Sequence, residues 1–345
     1  MHRRGITCAG NFIIDRIKIV DLWPKQGMLA MILEEKRSTG GCAYNVLKDL
    51  AKLHTGIPLF GIGAVSDDGD GNFILEDLSS HQIDTAQMRF IEGEPTSYTD
   101  VITVKETGDR TFFYNRGANG ALDVEHFDFS KVSSKLFHIG YILLLDALDA
   151  PDPEYGTRMA RLLSLAKKRG LLTSVDLVSE SSDRFKKLVP PALKYTDYLI
   201  VNEIEAGRTA GYEIRTEDDA VDVDALKRSL EMLSESGNSK LVCIHFPEGA
   251  YACEAGGTPR FMPSHKPPEG FVKGTVGAGD AFCAGMLYGI HEGWDLERMM
   301  RFANAMACYC LTDTTTTGGM SSLEDTTRLM EELPLRKSIF LNYRH

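Results

Sequence analysis

The sequence predicts an α/β protein built on one mostly parallel sheet with helices on both faces, and a small antiparallel β-sheet appended to it. Three observations support this. Strand-like and helix-like segments alternate from residue 136 onward. A strand near 28–35 and a β-rich hairpin near 96–115 read instead as parts of a separate small sheet. The 345 residues, 43% hydrophobic and 25% charged, suffice for a large core. Length alone allows one domain or two, and the chain shows no internal repeat or low-complexity linker.

"GITCAGNFIIDRIKIV" reads as a buried strand running into an alternating one, and after the Pro/Gly turn in "DLWPKQG" the run "MLAMILEE" reads as another. In "STGGCAYNVLKDLAKLHTG" a Gly-Gly turn precedes a helix, with Val46, Leu47, Leu50 and Leu53 at helical spacing and Gly56 as its stop. "IPLFGIGAVS" follows as a buried strand and "GNFILEDLSSHQID" as a helix. "TSYTDVITV" and "RTFFYN", divided by a turn, form the hairpin. "KLFHIGYILLL", "LLTSVDLV", "YTDYLIVN" and "LVCIHF" are the later strands, with closing helices after 279 and 299; the basic end "RKSIFLNYRH" is expected to be disordered. Parallel sheets bind ligands beyond the carboxyl ends of their strands. Asn11, Asp15, Asp176, Asn202, His245 and the 274–280 loop lie at or near such ends and are expected to share one crevice.

Composition excludes several classes. No segment approaches the ~18 consecutive apolar residues of a spanning helix, and the N-terminus lacks a secretory pattern, so a cytoplasmic protein is expected. Seven scattered cysteines suit reduced thiols. A net charge of -11 speaks against a nucleic-acid partner. "GIGAVS" lacks the third glycine of a dinucleotide fold, "DDGDGN" fails the calcium-loop spacing, and neither a Walker-type loop nor a zinc-hydrolase helix occurs.

The chemistry concentrates in "GTVGAGDAFCAGMLYGI". Small residues before a helix make an anion nest of free backbone amides, and Asp280 sits in it where it can take a hydroxyl proton. That division of labour suits phosphoryl transfer. Asp280 reads equally as a helix cap, and a helix terminus would lower its pKa. In "VNEIEAG", Asn202 and Glu205 share a helix face, able to order Mg²⁺-bound water and phosphates or to form a capping box.

These residues resemble the PfkB (ribokinase-like) carbohydrate kinases. "GTVGAGD" is similar to their C-terminal signature, "GGCAYN" to their Gly-Gly signature and "NEIE" to their Asn-x-x-Glu motif, with "AGNFIID", "ANAMACYC" and "TSYTDVITV" in the expected order. The resemblance implies one ribokinase-like domain, 1–345: a three-layer sandwich with a mostly parallel central sheet and a small β-sheet lid, its strands inserted at about 16–37 and 95–118. It implies an ATP-dependent, Mg²⁺-requiring kinase acting on a hydroxyl of a small sugar or sugar derivative. Asp280 would be the general base and Gly277, Ala278 and Gly279 the anion hole. Asp15, Asn11, Gly41 and Asn45 would meet the substrate. Asn202, Glu205, Thr275, Gly249, Asn304 and Gly318 would serve the nucleotide, Glu205 reaching Mg²⁺ through water. Paired lids would make a homodimer.

Three departures stand out. Gly274 replaces the signature's first Asp, which puts K⁺ dependence in question; Phe246 and Pro247 alter the nucleotide's edge; Cys42 stands where ribokinase has lysine. Arg110 and Arg116 flank the second lid strand, and Arg116 facing the crevice would suit an acidic or phosphorylated sugar. A nucleoside kinase of the same superfamily and a non-catalytic sugar- or nucleotide-binding homologue are the alternatives.

Overall fold

Every residue of Ile6–Gly10 is buried, as expected of a small, apolar strand covered on both faces. In the computed structural model, which describes residues 3–342, this strand lies within a nine-stranded sheet. From one edge the order is Arg260–Pro263, Gly249–Glu254, Leu241–Phe246, Tyr198–Asn202, Leu172–Leu177, Leu136–Ile142, Ile6–Gly10, Leu59–Val65 and Arg89–Phe90. The seven strands from Leu241–Phe246 to Arg89–Phe90 pair in parallel; near the opposite edge Gly249–Glu254 pairs antiparallel with both of its neighbours. The chain winds outward from Ile6–Gly10 first to one side and then, from Leu136, to the other. A crevice therefore opens at the carboxyl ends of Ile6–Gly10 and Leu136–Ile142. There Asn11 N donates to Gly140 O at 2.9 Å.

Alternation along each strand divides the apolar side chains between two cores. Ile6, Cys8, Ile200 and Cys243 point to one, with Val46, Leu47 and Leu50 of the helix Cys42–Lys52 and Phe282 and Phe302 of the helices Ala278–Glu292 and Leu296–Cys310. Ala9, Val201, Val242 and Ile244 point to the other, with Leu162 and Leu163 of Arg158–Lys168 and Leu226 and Leu230 of Val223–Glu235. The result is three layers, as expected.

The lid is a four-stranded sheet in the order Ile32–Gly40, Ile13–Val20, Tyr98–Val104, Arg110–Asn115. Tyr98–Val104 and Arg110–Asn115 fall within the expected 95–118, while Ile13–Val20 and Ile32–Gly40 extend past the two ends of the expected 16–37, and the strand read at 28–35 begins at Ile32. Only the outer pairings are antiparallel; the central pair is parallel. Both central strands start at the lid's base, where Ile14 N bonds Ser97 O at 3.1 Å, and run out side by side. Asp15 consequently belongs to a lid strand and not to the end of the first sheet strand.

The acidic loop before the helix Gly69–Ser80 proves ordinary: Asp68 caps that helix, accepting from Gly71 N at 2.7 Å. Residues 336–342 of the expected disordered end are placed, with Phe340 5.0 Å from the Phe261 ring and 5.1 Å from that of Tyr251; residues 343–345 lie outside the described range. All seven cysteines are free thiols. Among the described residues no helix is long and apolar enough to cross a membrane.

Candidate active site

The helix Ala278–Glu292 begins at Gly277, whose φ of 87° and lack of space both require glycine: a Cβ there would lie 2.1 Å from Thr316 O. No side chain caps the helix, so the amides of its first turn, lacking intrahelical partners, remain able to meet an anion. Asp280, the third helical residue, does not cap it. Its carboxylate instead accepts from Asn45 Nδ2 at 2.7 Å and Tyr141 Oη at 3.0 Å, which overturns the helix-cap alternative. Burial raises the Asp280 pKa, outweighing the hydrogen bonds from Asn45, Tyr141 and Cys42 that lower it. The lowering expected from the helix terminus is therefore not the controlling effect.

Asn45 reaches Asp280 because Gly41, at φ 94°, lets the chain turn into the helix Cys42–Lys52 against Asn11; a Cβ on Gly41 would lie 2.5 Å from Asn11 O. Asn45 Oδ1 is buried without a partner. Asn11 is buried too, and its polar atoms are engaged: Oδ1 accepts from Tyr141 N at 2.6 Å and Nδ2 donates to Tyr114 Oη at 3.3 Å. It ties the sheet to the lid. Asp15 hangs from the lid over Gly40, and its pKa is pushed up to about 6 by burial and then by the charge of Asp280. Tyr114 and, by alternation, Phe112 occupy one face of their strand; Phe113 stacks on Trp23 from the other, centroids 6.4 Å apart. Arg116 Nη1 is paired with Asp146 at the surface.

On the far side of the nest a cavity of about 500 Å³ is lined by Asn202, His245, Phe246, Pro247, Thr275, Ala278, Gly279 and Asn304 among others. A Cβ on Gly279 would touch His245 Cε1 at 3.3 Å, and the His245 ring stacks on Phe282 at 4.8 Å. Asn304 Nδ2 lies 3.3 Å from Pro263 O and 3.4 Å from Met262 O. Gly249 and Gly318 do not line this cavity. A Cβ on Gly249 would meet Met262 O at 2.3 Å, so it serves strand packing; one on Gly318 would meet Asp313 Oδ1 at 2.4 Å in the Thr-rich turn. Gly274 has a similar explanation: a Cβ there would lie 2.7 Å from Asp313 O, leaving no room for the family's Asp on this backbone.

Asn202 and Glu205 form a complete capping box. Glu205 Oε2 accepts from Asn202 N at 3.0 Å, and Oε1 from Asn202 Nδ2 at 2.8 Å and Ser179 Oγ at 2.9 Å. Burial pushes the Glu205 pKa up to about 7. A larger cleft, about 720 Å³, lies beyond Glu203 and is lined by Phe185, Ile204, Tyr212 and Arg215; it contains no part of the nest, whose Thr275, Ala278 and Gly279 line the smaller cavity.

Tyr141, which holds Asp280, was not anticipated, although its place near the carboxyl end of a parallel strand was the available signal. Asp176, expected at the crevice from its strand end, meets Cys42, His138 and Cys283 there; no motif links the four.

A mostly parallel sandwich with a β lid and an uncapped, glycine-lined helix start beside a buried Asp is the architecture of a sugar kinase. The chain belongs to the pfkB family of carbohydrate kinases, whose model matches residues 3–323. It is 27% identical over 307 residues, covering 89% of this chain and 91% of the relative, to an ATP-dependent ribose-1-phosphate kinase of Halopiger xanaduensis. It is 25% identical over 304 residues, covering 86% and 85%, to a 5-dehydro-2-deoxygluconokinase of Clostridium botulinum. Its fold matches that of Arabidopsis thaliana ribokinase complexed with ribose and ATP, with a TM-score of 0.78, 20% identity and coverage of 96% and 99%.

Proposed function

We propose that the protein transfers the γ-phosphoryl group of ATP to a hydroxyl of a small sugar or sugar derivative bound between the lid and the sheet. The observation that carries this is Asp280: a buried carboxylate on the first turn of an uncapped helix, aimed by Asn45 and Tyr141 instead of being spent on the cap. Asp280 takes the proton of the acceptor hydroxyl, and its raised pKa makes it a stronger base than an exposed carboxylate. The amides of Gly277, Ala278 and Gly279 hold the charge on the moving group. Asn11, Gly41, Asn45 and Asp15 shape the acceptor side, and lid closure would keep water from competing for the phosphoryl group.

The cavity beside the nest fits the nucleotide, with Thr275 and Asn304 in its wall. Glu205 fits Mg²⁺ only through water, because both its oxygens already accept hydrogen bonds; bound there, the cation would neutralise phosphate charge. We further propose a homodimer through the lid. Trp23, Leu29, Met31, Ile32, Phe112 and Phe113 are all at least half exposed on it, more apolar surface than a lone lid has reason to show.

The testing experiment is an ATP-turnover screen over sugars, sugar phosphates, sugar acids and nucleosides with wild type and Asp280→Asn. A sugar or sugar derivative is expected to stimulate ADP release in the wild type alone. Stimulation only by nucleosides would move the substrate class; no stimulation by any acceptor would refute the kinase reading of this site.

A further inference from the structure

Four chemistry-bearing side chains meet beneath Asp280 that phosphoryl transfer does not require. Cys42 opens the helix after the Gly41 turn, and Cys283 lies one turn beyond Asp280 on the helix of the nest. His138 and Asp176 belong to the adjacent strands Leu136–Ile142 and Leu172–Leu177. Cys42 Sγ lies 3.3 Å from His138 Nε2 and 3.5 Å from Asp176 Oδ2, and Cys283 Sγ lies 3.8 Å from the same His138 nitrogen. The ligand atoms of Cys42, His138 and Asp176 all fall within 4.8 Å of one another. We propose that Cys42, His138, Asp176 and Cys283 form a tetrahedral site for a soft divalent cation, Zn²⁺ by its donor set.

The spacings carry the argument. Ligand bonds of about 2.0–2.3 Å at tetrahedral angles separate donor atoms by roughly 3.5 Å, close to the 3.3, 3.5 and 3.8 Å of the three sulfur contacts. The outer contacts are those of a metal site as well. His138 Nδ1 lies 3.1 Å from Ser174 Oγ; donating its proton there leaves the Nε2 lone pair directed at the cluster. Asp176 Oδ1 accepts from Leu177 N at 2.8 Å, which fixes the carboxylate with Oδ2 inward. Two sulfurs and an imidazole select zinc over the magnesium that serves nucleotides. All four groups are buried, Asp176 the least so at 7% exposure. Four protein donors leave no open position, so the ion is structural. It joins the Gly41 turn to the helix of the nest and thereby holds the Asn45–Asp280 bond in place. No nucleotide or sugar takes part in this proposal, so it stands or falls apart from the kinase reading.

The test is titration of chelator-treated, reduced full-length protein with Co²⁺. One equivalent is expected to produce tetrahedral visible bands and thiolate-to-cobalt charge transfer. Zn²⁺ should bleach both, and a large excess of Mg²⁺ should not. Cys42→Ser and Cys283→Ala should each lose about half of the charge-transfer intensity, and His138→Gln should weaken binding by 10-fold or more. Should a variant fail to fold, the wild-type spectrum decides, because charge transfer requires sulfur ligation. Binding of no Co²⁺, octahedral bands without charge transfer, or displacement by Mg²⁺ would each overturn the site.

Discussion

Asn at position 280 has nearly the shape of Asp but cannot take a proton. In the folded protein the Asp280 carboxylate meets Asn45 Nδ2 at 2.7 Å and Tyr141 Oη at 3.0 Å, with the Cys42 thiol as a further donor. An amide keeps one acceptor for Asn45 and presents its NH₂ to Tyr141, whose hydroxyl can rotate to accept. The network survives with one bond reversed, and a buried charge is removed. The stability of Asp280→Asn should therefore stay within about 1 kcal/mol of wild type. The chemical step should not survive. Loss of a positioned general base costs about 10²- to 10⁴-fold, equivalent to roughly 3–5 kcal/mol on the barrier. The loss should appear in kcat, with KM for the acceptor little changed. The assay is ADP release at saturating acceptor beside a thermal-unfolding scan. A folded Asp280→Asn enzyme within 10-fold of wild-type kcat would refute the assignment of the base.

Tyr141→Phe removes a donor that stabilises the ionised form of Asp280, so its pKa rises further and the acid limb of kcat/KM should move to higher pH; an unmoved limb would separate Tyr141 from the base. Gly277→Ala combines a left-handed backbone with a methyl 2.1 Å from Thr316 O. It should lower stability by at least the ~1–2 kcal/mol of left-handed strain and reduce turnover by displacing the nest, measured by denaturant unfolding and initial rates. Asp15 has a folded-state pKa of about 6, above its unfolded value near 4. Its ionisation thus costs stability as pH rises through that interval, and the cost is complete above it. Asp15→Asn should raise Tm at pH 8 and give no such gain at pH 3.5; a gain independent of pH would contradict the linkage. Leu29→Asp with Phe113→Glu should turn a lid-paired dimer into a monomer by light scattering, and an unchanged mass would remove the lid interface.

The three-layer architecture was legible because alternation of apolar strands and amphipathic helices is a local signal. The glycine nest was legible for the same reason: only glycine reaches the backbone of residue 277. The lid was legible as strands but not as a pairing pattern, since the parallel central pair joins residues 13–20 with 98–104, and nothing in either segment states which way its partner runs. Gly249 and Gly318 show a different limit. The resemblance implies that they serve the nucleotide, while the structure places them in strand packing and a tight turn outside the cavity beside the nest.

By itself the sequence determined the fold class, the nest at 277–279 and the place of Asp280 beside it, all encoded by residues adjacent in the chain. Tertiary structure alone decided what Asp280 does with its carboxylate. The choice between capping its own helix and facing the crevice depends on Asn45 and Tyr141, brought from 235 and 139 residues away. The same folding gathers Cys42, His138, Asp176 and Cys283, four residues without a common motif, into one buried cluster. Spacing along the chain records which backbone turns are allowed; which side chains meet is set by the order in which the strands are laid side by side.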